Sequence, residues 1–195
     1  MLTTFQKTKL TYLFNVLGKN NPGNVLQLRD ILTIGNEVVD LLKFEDVKDE
    51  EDYRHLIKRK STTFFNRLTA DIPVEHKGTI ALKEWIQFFD SEIVNGQDAI
   101  ITDEFVDLIL MFLFGFYNQN RDGYMTMDEY VLMFSKLGLA KTDLEADFKL
   151  FDANKDGRLS RYDLALSIEI FLTTNNEDDP SNWIFGRWDL QELTQ

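Results

Sequence analysis

The chain has no cysteine in its 195 residues, so disulfides, thiolate catalysis and zinc–thiolate centres are excluded. Histidine is nearly absent: His55 falls on a polar helix face and His76 in a loop, and both read as surface residues, so no enzyme is expected. Basic residues are outnumbered, with 21 Lys and Arg against 33 Asp and Glu. The net charge of −12 disfavours nucleic acid and anionic membrane surfaces and favours cations. No apolar run is long enough to cross a bilayer: the longest, 105–117, is short and contains Asp107. The opening residues, Met1 to Lys7, lack the basic-then-apolar run of a secretory signal, so a cytoplasmic protein is expected. Proline occurs three times, at Pro22, Pro73 and Pro180, each where a loop is wanted.

What is present is apolar surface at helical spacing. Hydrophobic residues make up 44% of the chain and aromatics 13%, including 16 Phe, which sets it apart from a disordered acidic tail. Phe5, Leu10, Leu13, Phe14 and Leu17 share one face of a first helix, and residues 18–24 break it. Further helices are expected over 28–42, 55–68 and 82–93, the last carrying Trp85, Phe88 and Phe89. The acidic stretch 45–52 reads as solvated, and the polar stretch 95–98 as a boundary between halves. Residues 101–117, apolar nearly all round, read as a buried helix. Helices over 127–137, 141–151 and 160–172 complete an all-α chain of four helix–loop–helix units in two pairs.

Two of the loops carry chemistry. Residues 152–163 place Asp152, Asn154 and Asp156 at loop positions one, three and five, Gly157 at six and the Arg158 carbonyl at seven. Ser160 falls at nine and Asp163 at twelve. Residues 118–129 repeat the pattern 34 positions earlier, with Asn118, Asn120, Asp122, Gly123, the Tyr124 carbonyl, Thr126 and Glu129. This is the EF-hand pattern: Ca²⁺ takes about 6–8 oxygens at roughly 2.3–2.6 Å, and alternate residues of a short loop supply them. The sharp turn after the fifth position requires a residue that tolerates positive φ. Met125 and Leu159, at position eight, would join the loops by a short β-bridge. The alternative is a pair of Asx-rich surface turns between helices.

The first half keeps the layout without the ligands. Counting from Gly23 gives Gly18, Asn20 and Pro22 at the first three ligand positions, Val25 at the bridge and Arg29 at the closing position. Counting from Gly78 gives Pro73, Glu75, Lys77, Ile80 at the bridge and Glu84 at the close, in a loop that Phe65 and Leu68 suggest is longer than twelve residues. Both hands read as structural and metal-free. The division expected is a degenerate pair over 1–98 and a metal-binding pair with an apolar tail over 99–195.

The 55-residue gap between Gly23 and Gly78, the chain length and the tail Asn182-Trp183-Ile184-Phe185-Gly186-Arg187-Trp188 resemble the sarcoplasmic calcium-binding protein family, which includes calexcitin and the bacterial calerythrins. The resemblance covers nearly the whole chain and implies a compact four-hand globule with the tail folded on the core, working in calcium buffering or slow sensing. The chain departs from the family in its first hand, so no metal site is carried over there. Coelenterazine-binding proteins and calcium-regulated photoproteins share the layout, which keeps a luciferin-type apolar ligand as an alternative. A sensor for protein targets is a further one, although five Met are few for an adaptable groove. Juvenile hormone diol kinases also resemble the family, but after Gly18-Lys-Asn-Asn-Pro-Gly23 comes Asn24-Val25, without the Lys-Ser/Thr of a phosphate loop. The expectation is a monomer binding two Ca²⁺. Asp163 is one methylene shorter than the usual Glu, so the 152–163 loop is also expected to hold Mg²⁺, which suits six ligands at about 2.0–2.1 Å.

Overall fold

The computed structural model describes residues 1–18, 25–40, 46–70, 78–91, 105–107, 109–110, 122–136 and 141–187. The chain is all-α: α1 (Thr4–Leu17), α2 (Leu28–Val39), α3 (Val47–Leu68), α4 (Leu82–Phe89), α5 (Met127–Lys136), α6 (Lys141–Phe151) and α7 (Arg161–Thr173). Four short strands lie between helices: β1 (Val25–Leu26), β2 (Ile80–Ala81), β3 (Tyr124–Thr126) and β4 (Arg158–Ser160). They pair antiparallel, β1 with β2 and β3 with β4, which makes two EF-hand pairs. Residues 105–107 and 109–110 are helical, in keeping with the helix expected there.

The acidic stretch is solvated as expected, but residues 47–52 form the first turns of α3. Asp46 caps them, its Oδ1 accepting from the Lys48 amide at 2.9 Å. Asp49 and Glu50 sit where the helix dipole favours negative charge. Arg54 adds an i,i+4 pair with Glu50 at 2.8 Å and reaches Asp40, just past α2, at 2.6 Å.

Two compact units result, one of Met1 with 13–108 and the other of 2–12 with 109–195, so α1 begins in one and ends in the other. The first unit is built around Trp85, which is fully buried. Phe14, Phe89 and Phe105 meet its ring at 5.9, 4.7 and 6.2 Å, all in edge-on geometry. On α3 the buried residues Ile57, Ser61, Phe64, Phe65 and Leu68 recur at helical spacing and form its inner stripe.

The second unit packs Tyr130, Phe134, Phe148, Ile168 and Phe171, each fully buried. Its tail is docked as the apolar composition of 183–185 suggests: a 3₁₀ turn over Pro180–Trp183 leads to buried Ile184 and Phe185, and Phe185 meets Phe171 at 4.9 Å. Residues 2–12 hold it there. Lys9, 1% exposed, donates to the Phe171 carbonyl at 2.6 Å, the Thr174 carbonyl at 2.8 Å and Asn182 Oδ1 at 3.2 Å. Burial pulls the Lys9 ammonium down to about 8, with Asp179 opposing. Tyr12 donates to the Phe185 carbonyl at 2.8 Å, and Arg187 clasps the buried Asp147 on α6 at 2.9 Å. Among the described residues, Asp147 Oδ2 and the Tyr130 hydroxyl find no hydrogen-bond partner. Burial raises the Asp147 carboxyl above its ordinary range, partly offset by Arg187, and burial beside Asp147 raises Tyr130 further from its own.

Candidate metal centre

The loop after α6 folds around its own side-chain oxygens. The Asp152 amide closes the helix on the Phe148 carbonyl at 3.0 Å. Its buried carboxylate then accepts from the Asp156 amide at 3.1 Å and the Gly157 amide at 2.9 Å. Asn154 Oδ1 also accepts from the Asp156 amide at 3.1 Å, and Asn154 Nδ2 donates to Asp156 Oδ2 at 3.2 Å. Asp156 Oδ1 accepts in turn from the Arg158 amide at 2.9 Å. Positions one, three and five are therefore brought together on one side of the turn. Gly157 makes this possible with φ of +80°, a left-handed conformation costly for a residue with a Cβ.

Asp163 is placed differently. It sits at the third position of α7, where its Oδ2 accepts from the Ser160 amide at 2.9 Å and the Ser160 hydroxyl at 2.6 Å, and its own amide donates back to Ser160 Oγ at 3.2 Å. This is a capping box. Among the described residues no three acidic or histidine side chains are gathered closely enough to hold an ion. Asp152 and Asp156 converge, and Asp163 is held at the helix cap.

The preceding loop shows the same parts where it is described. Asp122 Oδ1 accepts from the Tyr124 amide at 2.9 Å, matching the Asp156 to Arg158 bond. Gly123 has φ of +82°. Glu129 Oε2 accepts from the Thr126 amide at 2.8 Å and hydroxyl at 2.9 Å. Asn118 and Asn120 lie outside the described residues. The two loops are joined by Met125 opposite Leu159, both fully buried, with Tyr124 opposite Ser160 and Thr126 opposite Arg158.

The first hand differs from the sequence count by one residue. Leu26, not Val25, faces Ile80, and these two are the buried pair. The Gln27 amide donates to Asp30 Oδ2 at 2.8 Å, so the closing position belongs to the buried Asp30 and not to Arg29. The Gly18 amide meets the Phe14 carbonyl as Asp152 meets Phe148, so this loop runs from Gly18 to Asp30, one residue longer than 152–163. In the second hand Glu84 closes, accepting from the Ala81 amide at 2.7 Å, and the Thr69 amide ends α3 on the Phe65 carbonyl. That loop is longer still, as Phe65 and Leu68 had suggested; residues 71–77, with Pro73, Glu75 and Lys77, lie outside the described residues. One rule could have found Asp30: an acid four residues after the buried bridge residue, as in Leu26–Asp30, Ile80–Glu84, Met125–Glu129 and Leu159–Asp163.

The donor set fits a hard cation. Aspartate, asparagine, glutamate and backbone carbonyls are the oxygen ligands Ca²⁺ and Mg²⁺ take. No family model matches the chain, and no curated protein matches it by sequence. Solved structures do match by fold. The sarcoplasmic calcium-binding protein from amphioxus is 15% identical, with a TM-score of 0.76 over 97% of this chain and 100% of that one. Okadaic acid binding protein 2.1 is 12% identical, with a TM-score of 0.72 over 96% and 97%. The coelenterazine-binding protein from Renilla muelleri, in its calcium-loaded apo form, is 16% identical, with a TM-score of 0.69 over 96% and 100%. With its hands paired through Leu26–Ile80 and Met125–Leu159, this chain has the four-EF-hand fold of the sarcoplasmic calcium-binding protein.

Proposed function

We propose that this protein binds two Ca²⁺ through the loops of its second unit and acts as a cytosolic buffer or slow sensor. The observation that carries this reading is the convergence of Asp152, Asn154 and Asp156 on the amides of 156–158, a turn that collects oxygens before any ligand is considered. Asp152, Asn154, Asp156, the Arg158 carbonyl and Asp163 would hold one ion. Asn118, Asn120, Asp122, the Tyr124 carbonyl and Glu129 would hold the other. Bound metal would screen the carboxylates of each loop from one another and draw the closing acid off its cap. At the 152–163 loop Asp163 is the short closing acid, so Mg²⁺ competes there and exchange is slow. The division of labour is a scaffold pair over 1–98 and a metal-binding pair over 99–195.

Buffering is favoured over capture of a target helix because Ile184 and Phe185 are already buried in the second unit and held by Lys9 and Tyr12. Calorimetric titration with Ca²⁺, with and without millimolar Mg²⁺, tests the reading. It expects two sites, one of them weakened by Mg²⁺; saturation at none or at three ions would overturn it. A second reading, release of a luciferin-type ligand under calcium control, is supported by the likeness to coelenterazine-binding protein. Quenching of Trp85 by added coelenterazine, reversed by Ca²⁺, would favour it.

A further inference from the structure

Arg158 serves two loops at once. Its backbone on β4 lies opposite Thr126, and its carbonyl is a candidate ligand. Its guanidinium goes elsewhere: Nη2 stands 3.9 Å from Asp156 Oδ2, and Cζ lies 4.6 Å from the centroid of the Tyr124 ring, at the equivalent position of the other loop. We infer that Arg158 restrains the calcium affinity of the 152–163 loop and is held in place to do so by Tyr124. This rests on the calcium reading above.

The distances set the size of the effect. A ligating carboxylate oxygen lies about 2.4 Å from Ca²⁺. With Arg158 Nη2 3.9 Å from an Asp156 oxygen, the guanidinium stands within roughly 6 Å of an ion held there. In water, repulsion between a unit charge and a divalent ion at about 6 Å weakens binding about tenfold, and screening with a Debye length of about 8 Å cuts this to about threefold. An arginine on a loop would ordinarily swing into solvent; the face of Tyr124 attracts the guanidinium and keeps it over Asp156. The consequence is a levelling. The 152–163 loop has three acids, Asp152, Asp156 and Asp163, against Asp122 and Glu129 in the described part of its partner. Arg158 offsets the third.

Chelator-competition titrations of the wild type and of Arg158→Gln, Tyr124→Leu and Lys7→Gln, in about 10 mM and about 150 mM KCl, test this. Arg158→Gln should tighten one of two sites about sevenfold in the low salt and about threefold in the high. Tyr124→Leu should give a smaller gain of the same sign, and Lys7→Gln, which removes an exposed charge on α1, little change. Two sites of unchanged affinity in Arg158→Gln would overturn the inference and leave the calcium reading standing, as would an equal gain from Lys7→Gln. Loss of a site in Arg158→Gln would overturn it by making the side chain structural. If even the wild type binds no Ca²⁺, both readings fall.

Discussion

The Leu26–Ile80 and Met125–Leu159 bridges are built on one plan, while the loops behind them are not. In each pair a buried apolar residue faces its counterpart, and four residues later an acid accepts the amide three positions before it. Yet the first-unit loops are longer than twelve residues, and the one closing at Asp30 has no acid from Gly18 to Arg29, while 152–163 is twelve residues long with an oxygen-bearing side chain at positions one, three, five, nine and twelve. The closing acid therefore has a capping role that can be separated from the ligation proposed for it. It caps the exiting helix in all four hands, worth about 1 kcal/mol whether or not metal is involved. Ligation would need oxygens at the earlier positions too, which the sequence pattern of 118–129 and 152–163 offers. A carboxylate at the close is a mark of the fold, and oxygen-bearing side chains at positions one, three and five, as in 118–129 and 152–163, are the mark proposed for a site.

Glu129→Gln breaks the comparison most sharply. It should weaken calcium at its own loop by roughly a hundredfold, since a neutral amide replaces a chelating anion, while the 152–163 loop keeps most of its affinity. Titration resolves the two sites, and two unchanged affinities would refute the assignment. Ending the chain at Asn182 should cost the second unit roughly 3–6 kcal/mol through Ile184 and Phe185 alone. It also leaves Asp147 buried without Arg187. Trp85 would then be the single tryptophan left of three, so its fluorescence reports the first unit by itself. An equal loss there would end the distinction between units.

Lys9 sharpens it further. Its folded value near 8 lies below its ordinary 10.5, so between those values the unfolded chain holds more protons and stability rises with pH. Relative to Lys9→Met, the wild type should gain roughly 2–3 kcal/mol from pH 8 to 10.5, measured by denaturant unfolding. A fall over that range would show that the carbonyls favour the ammonium more than burial penalises it. The smallest effect is local: Asp30→Asn should cost about 1 kcal/mol and Arg29→Ala close to nothing. The reverse order would restore the register counted from Gly23.

The second unit was the more legible in sequence because Gly123 and Gly157, both at positive φ, mark the turn, and counting outward from them reaches Glu129 and Asp163, the acids that accept the amides three positions before them. The same count fails from Gly23, since one extra residue moves Asp30 into the place given to Arg29 and a glycine does not announce loop length. Acidic residues at 49–52 read as solvent-facing, which they are, but their favourable place in a first helical turn could not be weighed before Asp46 was seen as its cap. Lys9 carried no signal at all. A lysine between apolar residues reads as a surface charge until Phe171, Thr174 and Asn182 are brought to it.

That last arrangement has a consequence for biosynthesis. Lys9 finds its first acceptor 162 residues later and its last 173 residues later. At a synthesis rate of about 5–20 residues per second, the amphipathic segment holding Phe5 and Leu10 leaves the ribosome roughly ten to thirty seconds before its partners exist. The second half of α1 can meanwhile settle with Trp85, whose sequence distance from Phe14 is far shorter. A nascent chain paused before residue 171 would thus hold a helix finished at one end and exposed at the other, the form in which a chaperone would meet it.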